Sequence, residues 1–356
     1  MPRVVVGLSG GVDSAVTALL LRDAGHEVHG LYMSNWDEED EFCTSAADYQ
    51  DARASAQELG IPLHRVSFAT QYRAQVFADF LREYRAGRTP NPDVLCNREI
   101  KFGLCLAYAH RLGGECFATG HYARLLQGAD GPELHKGVDA GKDQSYFLHA
   151  VPREQFRHVL MPLGELHKEA VRERARRAGL PVADKPDSTG ICFIGERPFE
   201  QFLARYLPAE PGPIETLAGE RVGSHRGLHF YTLGQRSGLE IGGQRAHAPE
   251  PWYVARKDTV RNALIVVQRH AGVELGSRAL RTAAVNWLAA PSAASFAAAA
   301  KVRYRQADQA ATVTALADGT ARIEFERPQR AVTPGQSAVL YRETRCLGGG
   351  VIEEVL

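Results

Sequence analysis

The run Val4-Val5-Val6-Gly7-Leu8, the loop Ser9-Gly10-Gly11-Val12-Asp13-Ser14 and the run Ala15-Val16-Thr17-Ala18-Leu19-Leu20-Leu21 follow one another without a gap. An apolar strand that feeds a helix through a glycine turn must sit inside a sheet with that helix packed on it. This confines the start of the chain to the α/β class. The two glycines let the backbone turn tightly and direct its N–H groups at an anion. Asp13 and Ser14 open the helix, so the positive end of its dipole faces the same point. The lysine and spacing of a Walker A loop are absent. The bland alternative is a glycine-rich strand–helix turn with no ligand.

The alternation predicts strands over Val4–Leu8, Glu27–Met33, Leu63–Ser67 and Cys116–Gly120. Helices are expected between them over Ser14–Ala24, Ala46–Leu59, Arg73–Ala86 and Asn97–Leu112. Gly25, Gly60 and Gly113 stand where the glycine after a helix stands. Such a pattern is a parallel sheet covered on both faces, with ligands beyond the carboxyl ends of its strands. The SGGVDS loop, Met33 and Gly120-His121 all follow strand ends and should converge there.

Leu207-Pro208-Ala209-Glu210-Pro211-Gly212-Pro213 breaks the pattern and reads as a domain boundary. Beyond it, short strand-like pieces replace the helices: Ile214–Val222, Leu228–Thr232, Trp252–Arg256 and Ala263–Val267. From about residue 275 come Thr282–Leu288, Ala300–Tyr304, Ala311–Ala315, Ala321–Phe325, Ser337–Tyr341 and Gly350–Val355. Regular short strands suggest a barrel or sandwich. The expected domains are 1–207 (α/β, parallel sheet), 208–274 (small and β-rich) and 275–356 (β-barrel). Ala289–Ala300 is alanine-rich and is expected to be a loop or short helix without a chemical role. The basic stretch Lys168–Ala178 suits either an RNA backbone or a solvated helix face.

Lys+Arg and Asp+Glu are both 42, so no global basic excess announces nucleic acid, although a local patch suffices for binding. The first residues read as a core strand rather than a signal peptide, and no apolar run reaches membrane-spanning length. A cytoplasmic chain with no membrane partner is therefore expected. No C-x-x-C pair occurs among the cysteines at 43, 96, 105, 116, 192 and 346, which argues against a structural zinc site.

Two cysteines lie in informative loops. In Gly87-Arg88-Thr89-Pro90-Asn91-Pro92-Asp93-Val94-Leu95-Cys96-Asn97, two prolines stiffen the backbone, and Cys96 is expected at the start of the following helix. A helix N-terminus favours a thiolate; the alternative is a capping turn with an inert, buried thiol. Asp184-Lys185-Pro186-Asp187-Ser188-Thr189-Gly190-Ile191-Cys192-Phe193-Ile194-Gly195 is polar and turn-rich and delivers Cys192. Cys105 and Cys116 belong to apolar segments and read as core residues, and Cys346 as structural. Cys43 follows the acidic run 37–41, and its role is open.

The Ser9–Ser14 loop resembles the SGGxDS loop of the ATP-pyrophosphatase family, which cleaves ATP between the α and β phosphates and adenylates an oxygen of its substrate. An adenylating loop combined with two loop cysteines suggests that an activated oxygen is replaced by sulfur carried as a persulfide. Over essentially its whole length the chain resembles the bacterial tRNA 2-thiouridylase family. The resemblance is carried by SGGVDS (9–14), GRTPNPDVLCN (87–97), ATGHYAR (118–124), KDQSYFL (142–148), DSTGICFIGER (187–197), YTLGQR (231–236), EPWYV (250–254), RYRQ (303–306) and GGGVIE (348–353).

This resemblance implies an ATP-pyrophosphatase domain, a small central domain and a C-terminal β-barrel that contacts tRNA. It implies that Gly7, Leu8, Ser9, Gly10, Gly11, Val12, Asp13 and Ser14 hold ATP with its Mg2+, with Met33 near the adenine and Gly120 beside the nucleotide. Asn91, Pro92 and Asp93 would meet the flipped target uridine. His121, Lys142, Asp143, Gln144, Arg303, Tyr304 and Gln336 would contact tRNA. Cys192 would carry the persulfide, and Cys96 would be its partner in a transient disulfide. Asp93 would move a proton, its alternative role being helix capping. A cysteine desulfurase or sulfur-relay protein is the implied donor, and a monomer on one tRNA the expected state. The alanine-rich stretch and the neutral charge depart from the family pattern. Two other classes fit part of the chain: a small-molecule ligase, which needs no paired thiols, and a non-catalytic RNA-binding protein.

Overall fold

The computed structural model describes residues 2–36, 45–187, 199–242, 250–268 and 275–356. Cys43 and Cys192 lie outside the described residues. The first sheet is five-stranded and parallel, in the order Leu63–Ser67, Glu27–Ser34, Arg3–Gly7, Cys116–Ala118, Val159–Leu160. Its central strand has no wet face. Val4 and Val6 enter one core and Val5 the other, each at 0% exposure, because side chains alternate along a strand. Val159–Leu160 is a two-residue edge strand with too short an apolar signature to be expected from sequence.

The helix after the first loop runs Val12–Asp23, earlier at both ends than expected. Helix 92–111 likewise begins before its expected start at Asn97. Asn91 caps it, its Oδ1 accepting the Asp93 N–H at 3.2 Å, and Pro92 occupies the first helical position, where a missing N–H costs nothing. Cys96 is therefore one turn inside the helix. Between Cys96 and Cys105 the helix widens into π geometry, as does the helix 69–85 between Arg73 and Phe77.

The central sheet joins Trp252–Asp258, Ala263–Gln268, Gly212–Thr216 and Arg221–His225. The expected strand Ile214–Val222 is thus two strands around a turn, and Leu228–Thr232 is instead a 3-10 turn over Leu228–Phe230. The last sheet closes into a six-stranded barrel. Its order is Gly276–Thr282, Ala321–Arg330, Gln309–Ala315, Ser295–Lys301, Ser337–Arg342 and Arg345–Val355, the last pairing back to the first. Ser295–Lys301 corrects the expected alanine-rich loop or helix. It is bonded on both sides, and alanine's helix preference yields to that pairing and to a barrel interior where Ala300 is fully buried. The expected strand Ala300–Tyr304 is accordingly displaced to 295–301, and Thr282–Leu288 resolves into Gly276–Thr282 and Asn286–Trp287.

A hairpin absent from the sequence reading, Ala123–Gly128 with Gly131–Lys136, leaves the first domain and adds to the barrel sheet through His135 opposite Arg345. The α/β layer and the barrel are therefore joined by backbone pairing as well as by packing.

Candidate active site

The loop Gly7–Ser14 is largely built from its own atoms. Gly10 has φ +79°, and a Cβ there would stand 2.2 Å from the Asp48 carbonyl oxygen, so only glycine fits. Gly11 caps the helix Val12–Asp23 without a side-chain hydrogen bond. Ser14 Oγ accepts the Ser9 N–H at 3.1 Å and donates to the Gly11 carbonyl at 2.9 Å, which closes the turn. Leu8 N donates to Leu31 O at 2.9 Å. Gly120 presses on the first helical turn, where an added Cβ would lie 2.9 Å from the Asp13 carbonyl carbon and 3.0 Å from Ser14 N. The result is a concave loop at the amino end of a twelve-residue helix, the geometry that receives phosphate.

Charge surrounds this loop in an arrangement the sequence reading missed. Lys168 Nζ donates to both Asp13 oxygens, at 2.7 and 2.8 Å, and lies 2.7 Å from Asp187. Tyr122 OH donates to Asp13 at 2.7 Å; burial and then the Asp13 charge push its phenol well above the ordinary range. Lys142 at 2.7 Å and Arg172 at 2.8 Å complete the cations around Asp187. Burial alone would raise the Asp187 carboxyl, but Lys142 and Lys168 outweigh it and hold it at about 2. Lys185 reaches the Gly10 carbonyl at 3.0 Å while paired with Asp48 and Asp51. Its ammonium is raised because those carboxylates overcome the effect of burial.

The basic stretch Lys168–Ala178 thus divides. Lys168 and Arg172 serve the nucleotide-loop network, whereas Arg176 and Arg177 pair at the surface with Asp184 and Glu173. Charge spacing on one helix face was the available signal, but it does not reveal which face is covered.

The second loop is held from outside. Thr89 N donates to Pro334 O at 3.0 Å, and Gln336 Nε2 donates to Thr89 O at 2.8 Å. Gly335, φ +93°, brings its backbone so close that a Cβ would lie 2.9 Å from Thr89. A Cβ at Gly87 would meet Thr259 of the central sheet's hairpin at 2.7 Å. Barrel and central sheet therefore both abut the segment that presents Asn91, Pro92 and Asp93. Cys96 is fully buried in the core, with Asn35 Nδ2 at 4.0 Å from its sulfur. Asn35 Oδ1 and Asn97 Oδ1 are buried without a hydrogen-bond partner among the described residues. Neither asparagine was singled out from sequence.

The remaining thiols differ. Burial pushes Cys105 and Cys346 up to about 12 and raises Cys116, and the Cys105 thiol donates to Met33 Sδ at 3.2 Å.

Segment 142–148 connects these regions. Gln144 exchanges hydrogen bonds with Tyr122, at 3.0 Å to its N–H and 2.9 Å to its carbonyl. Asp143 Oδ1 accepts the Gly137 and Ser145 N–H groups, each at 3.1 Å. Ser145 Oγ meets Tyr341 OH at 3.1 Å and Tyr146 OH donates to Ser337 O at 2.9 Å, both in the barrel. Phe147 O accepts from Asn97 at 3.2 Å, and its ring lies 4.4 Å from that of Tyr304. His121 is buried beside Thr119, 2.8 Å away, and burial lowers it well below the ordinary imidazole value. Arg303 bridges barrel and central domain, donating to Ala331 O at 3.0 Å and Leu233 O at 2.9 Å. Asp13, Lys142 and Gln144 thus belong to one bonded group against which Gly120 packs, whereas Arg303 belongs to another junction.

Family profiles cover most of the chain: the tRNA methyl transferase HUP domain matches residues 2–196, the tRNA methyl transferase PRC-barrel domain 200–268, and the aminomethyltransferase beta-barrel domain 277–352. The tRNA-specific 2-thiouridylase MnmA of Cupriavidus taiwanensis is 55% identical over 355 residues, covering 99% of this chain and 98% of that protein. Its namesake from Chromohalobacter salexigens is 57% identical over 353 residues, covering 98% and 92%. Among solved structures, the U34-tRNA thiolase NcsA of Methanococcus maripaludis matches at 18% identity and TM-score 0.36, over 52% of this chain and 60% of that one.

Proposed function

This chain belongs to the tRNA-specific 2-thiouridylase family, and we propose that it installs sulfur at C2 of the wobble uridine of tRNAs of the Lys, Glu and Gln type. The observation that carries the reading is segment 142–148, bonded at once to the nucleotide loop through Tyr122, to the Cys96 helix through Asn97 and to the barrel through Tyr146. A reaction that needs ATP, a thiol and a large RNA requires those three regions to be held in register.

In the proposed sequence Gly7–Ser14 hold the phosphates of ATP with Mg2+, Met33 lies toward the adenine and Gly120 beside the nucleotide. The uridine is splayed out over Asn91, Pro92 and Asp93, which costs less from a single-stranded loop than from a duplex. Asn35 Oδ1 and Asn97 Oδ1, buried and without a partner among the described residues, suit the N–H donor of a base. The C2 oxygen attacks the α-phosphorus and pyrophosphate leaves. The terminal sulfur of a Cys192 persulfide then attacks C2 and expels AMP, leaving a C2–S–S–Cys192 link. Cys96 thiolate attacks the Cys192 sulfur, forming the Cys96–Cys192 disulfide and freeing the thiocarbonyl; a cellular thiol reduces the pair afterwards. In the variant route Cys96 releases hydrosulfide first, and that attacks C2.

Asp93 moves the proton. Its capping role is reduced by Asn91, which supplies the cap. Because Cys96 is fully buried, exchange requires the surrounding chain to open when tRNA or the persulfide arrives. His121, Lys142, Asp143, Gln144, Arg303, Tyr304 and Gln336 are assigned to tRNA, either by contact or by shaping the surface that makes it. A cysteine desulfurase or relay protein supplies the persulfide, and the protein works as a cytoplasmic monomer divided at 1–207, 208–274 and 275–356. Among the described residues no helix is long and apolar enough to cross a membrane.

The test is thiolation of unmodified tRNA, read as retardation in a mercury-containing gel, with Mg-ATP, a desulfurase and cysteine. Retardation with wild type but not with Cys96→Ser or Cys192→Ser is expected. Pyrophosphate release independent of tRNA, with no retardation, would overturn the reading in favour of a small-molecule ligase.

A further inference from the structure

The terminal glycine run builds a site that sulfur transfer does not use. Gly348 has φ +125°, and a Cβ there would stand 2.1 Å from the Asn286 carbonyl oxygen and 3.1 Å from Trp287 Cα. Glycine is what allows Asn286–Trp287 to pair against the strand Arg345–Val355. Trp287 is held there half-buried, its ring 6.2 Å from that of Phe296. Both rings and Leu347 line a cavity of about 170 Å³ that is also lined by Arg342, Arg345 and Asp130.

The two guanidiniums at this cavity are unequally paired. Arg342 and Arg345 face each other across the hairpin, where like charges repel. Arg345 is neutralised by Glu133 at 3.0 Å. Arg342 is exposed and has no ion pair among the described residues, holding only Ser292 Oγ at 3.4 Å. A half-open aromatic wall beside a guanidinium with no ion pair among the described residues suits a base with its phosphate. The volume suits one ring system, since drug-sized ligands need roughly 300 Å³ or more. The strand Ser337–Arg342 separates this cavity from Gln336, which grips Thr89. Six residues at about 3.3 Å each put it about 20 Å away from that contact.

We propose that this cavity receives one unpaired base of the RNA substrate, stacked on Trp287 or Phe296, with the adjoining phosphate on Arg342. Asp130 accepts from the base's amino group. The site anchors the RNA at a distance from the reacting uridine, and the proposal rests on the tRNA reading above.

The experiment measures binding of unmodified tRNA to the full chain over a range of salt, alongside thiolation at saturating tRNA. Trp287→Ala is expected to weaken binding about tenfold, within the roughly 1–3 kcal/mol of one base stack, and Trp287→Phe to restore most of it. Arg342→Gln, at an exposed position, should lower the slope of log affinity against log salt by about one. Thiolation at saturating tRNA should be unchanged in all three. Wild-type affinity and salt slope in both Trp287→Ala and Arg342→Gln would overturn the proposal. So would a tryptophan quench by AMP and not by tRNA that is lost in Trp287→Phe, which would assign the cavity to a free nucleotide. If the wild type itself neither binds nor thiolates tRNA, the tRNA reading falls and takes this one with it. Wild-type thiolation with unaltered variants removes only the cavity.

Discussion

The nucleotide loop and the Asn91–Cys96 loop lie in the same domain but are held in opposite ways. Ser9–Ser14 closes on itself through Ser14 and one left-handed glycine, and its nearest cations come from the same α/β layer. The other loop has its prolines and its Asn91 cap, but Thr89 is fixed by Pro334 and Gln336, almost 250 residues later in the chain (Gln336 and Thr89 are 247 apart). On the proposed reading the first loop holds the phosphates of the same nucleotide in every cycle, and such a site can be built locally. On the proposed reading the second loop meets a large RNA, and it gains from being positioned by the domains proposed to meet the same RNA.

The sharpest way to break this contrast is Gly10→Ala. A left-handed conformation strained by about 1–3 kcal/mol, together with collision against the Asp48 carbonyl, should weaken ATP binding about a hundredfold in calorimetry. Binding of tRNA should remain near wild type. An equal fall in tRNA affinity would mean that the two loops are not independently built.

Lys168→Met should have the next largest effect. It leaves Asp13 and Asp187 short of a shared cation that is itself only 11% exposed at its side chain. A fully buried pair broken in this way costs ~3–5 kcal/mol. The carboxylates are 31% and 30% exposed, so a loss of about 2 kcal/mol is expected, read as a lower Tm. The accompanying pH dependence has a definite sign. The folded Asp187 carboxyl lies at about 2, against about 3.9 unfolded. Its contribution is complete above the unfolded value and disappears as pH falls through the folded one. Asp187→Asn should flatten the acid limb of stability between about pH 4 and pH 2, and an unchanged limb would show that the network is not what holds the carboxyl down.

Gln336→Ala tests the external clamp. One hydrogen bond to a loop carbonyl is worth about 1 kcal/mol, so kcat/KM for tRNA should fall about fivefold while KM for ATP stays constant. A shift in the ATP constant instead would erase the distinction between the loops. Arg177→Ala is the smallest case. Its pair with Glu173 is an exposed i,i+4 contact, and neither Tm nor tRNA affinity should change measurably.

Local periodicity is enough to place four of the five strands of the first sheet, all but the short edge strand Val159–Leu160. Val4–Val6 buried on both faces and the glycines after three helices make the parallel α/β layer legible from sequence, as is the tight turn at Gly10. The π-widened helix 92–111 was legible as a helix but not in its start, because the capping role belonged to Asn91 and not to a residue nearer Cys96. The alanine run misleads for the converse reason. Its composition favours helix, yet Ser295–Lys301 is a strand, since pairing partners on both sides decide the matter.

What the amino-acid order determined alone was what short-range physics can reach: the strand, glycine loop and helix at the head of the chain, the stiff proline loop and the alternation that makes a parallel sheet. Only the tertiary structure decided which charges meet. Lys168 lies 155 residues from Asp13, and Tyr122 lies 109 residues from it. It also decided that a hairpin of the first domain joins the barrel sheet, and that Cys96 is closed off in the core. The reason is physical. Glycine turns and caps act through neighbouring backbone, whereas an ion pair or a burial depends on chain closure over a hundred residues or more, which no local pattern encodes.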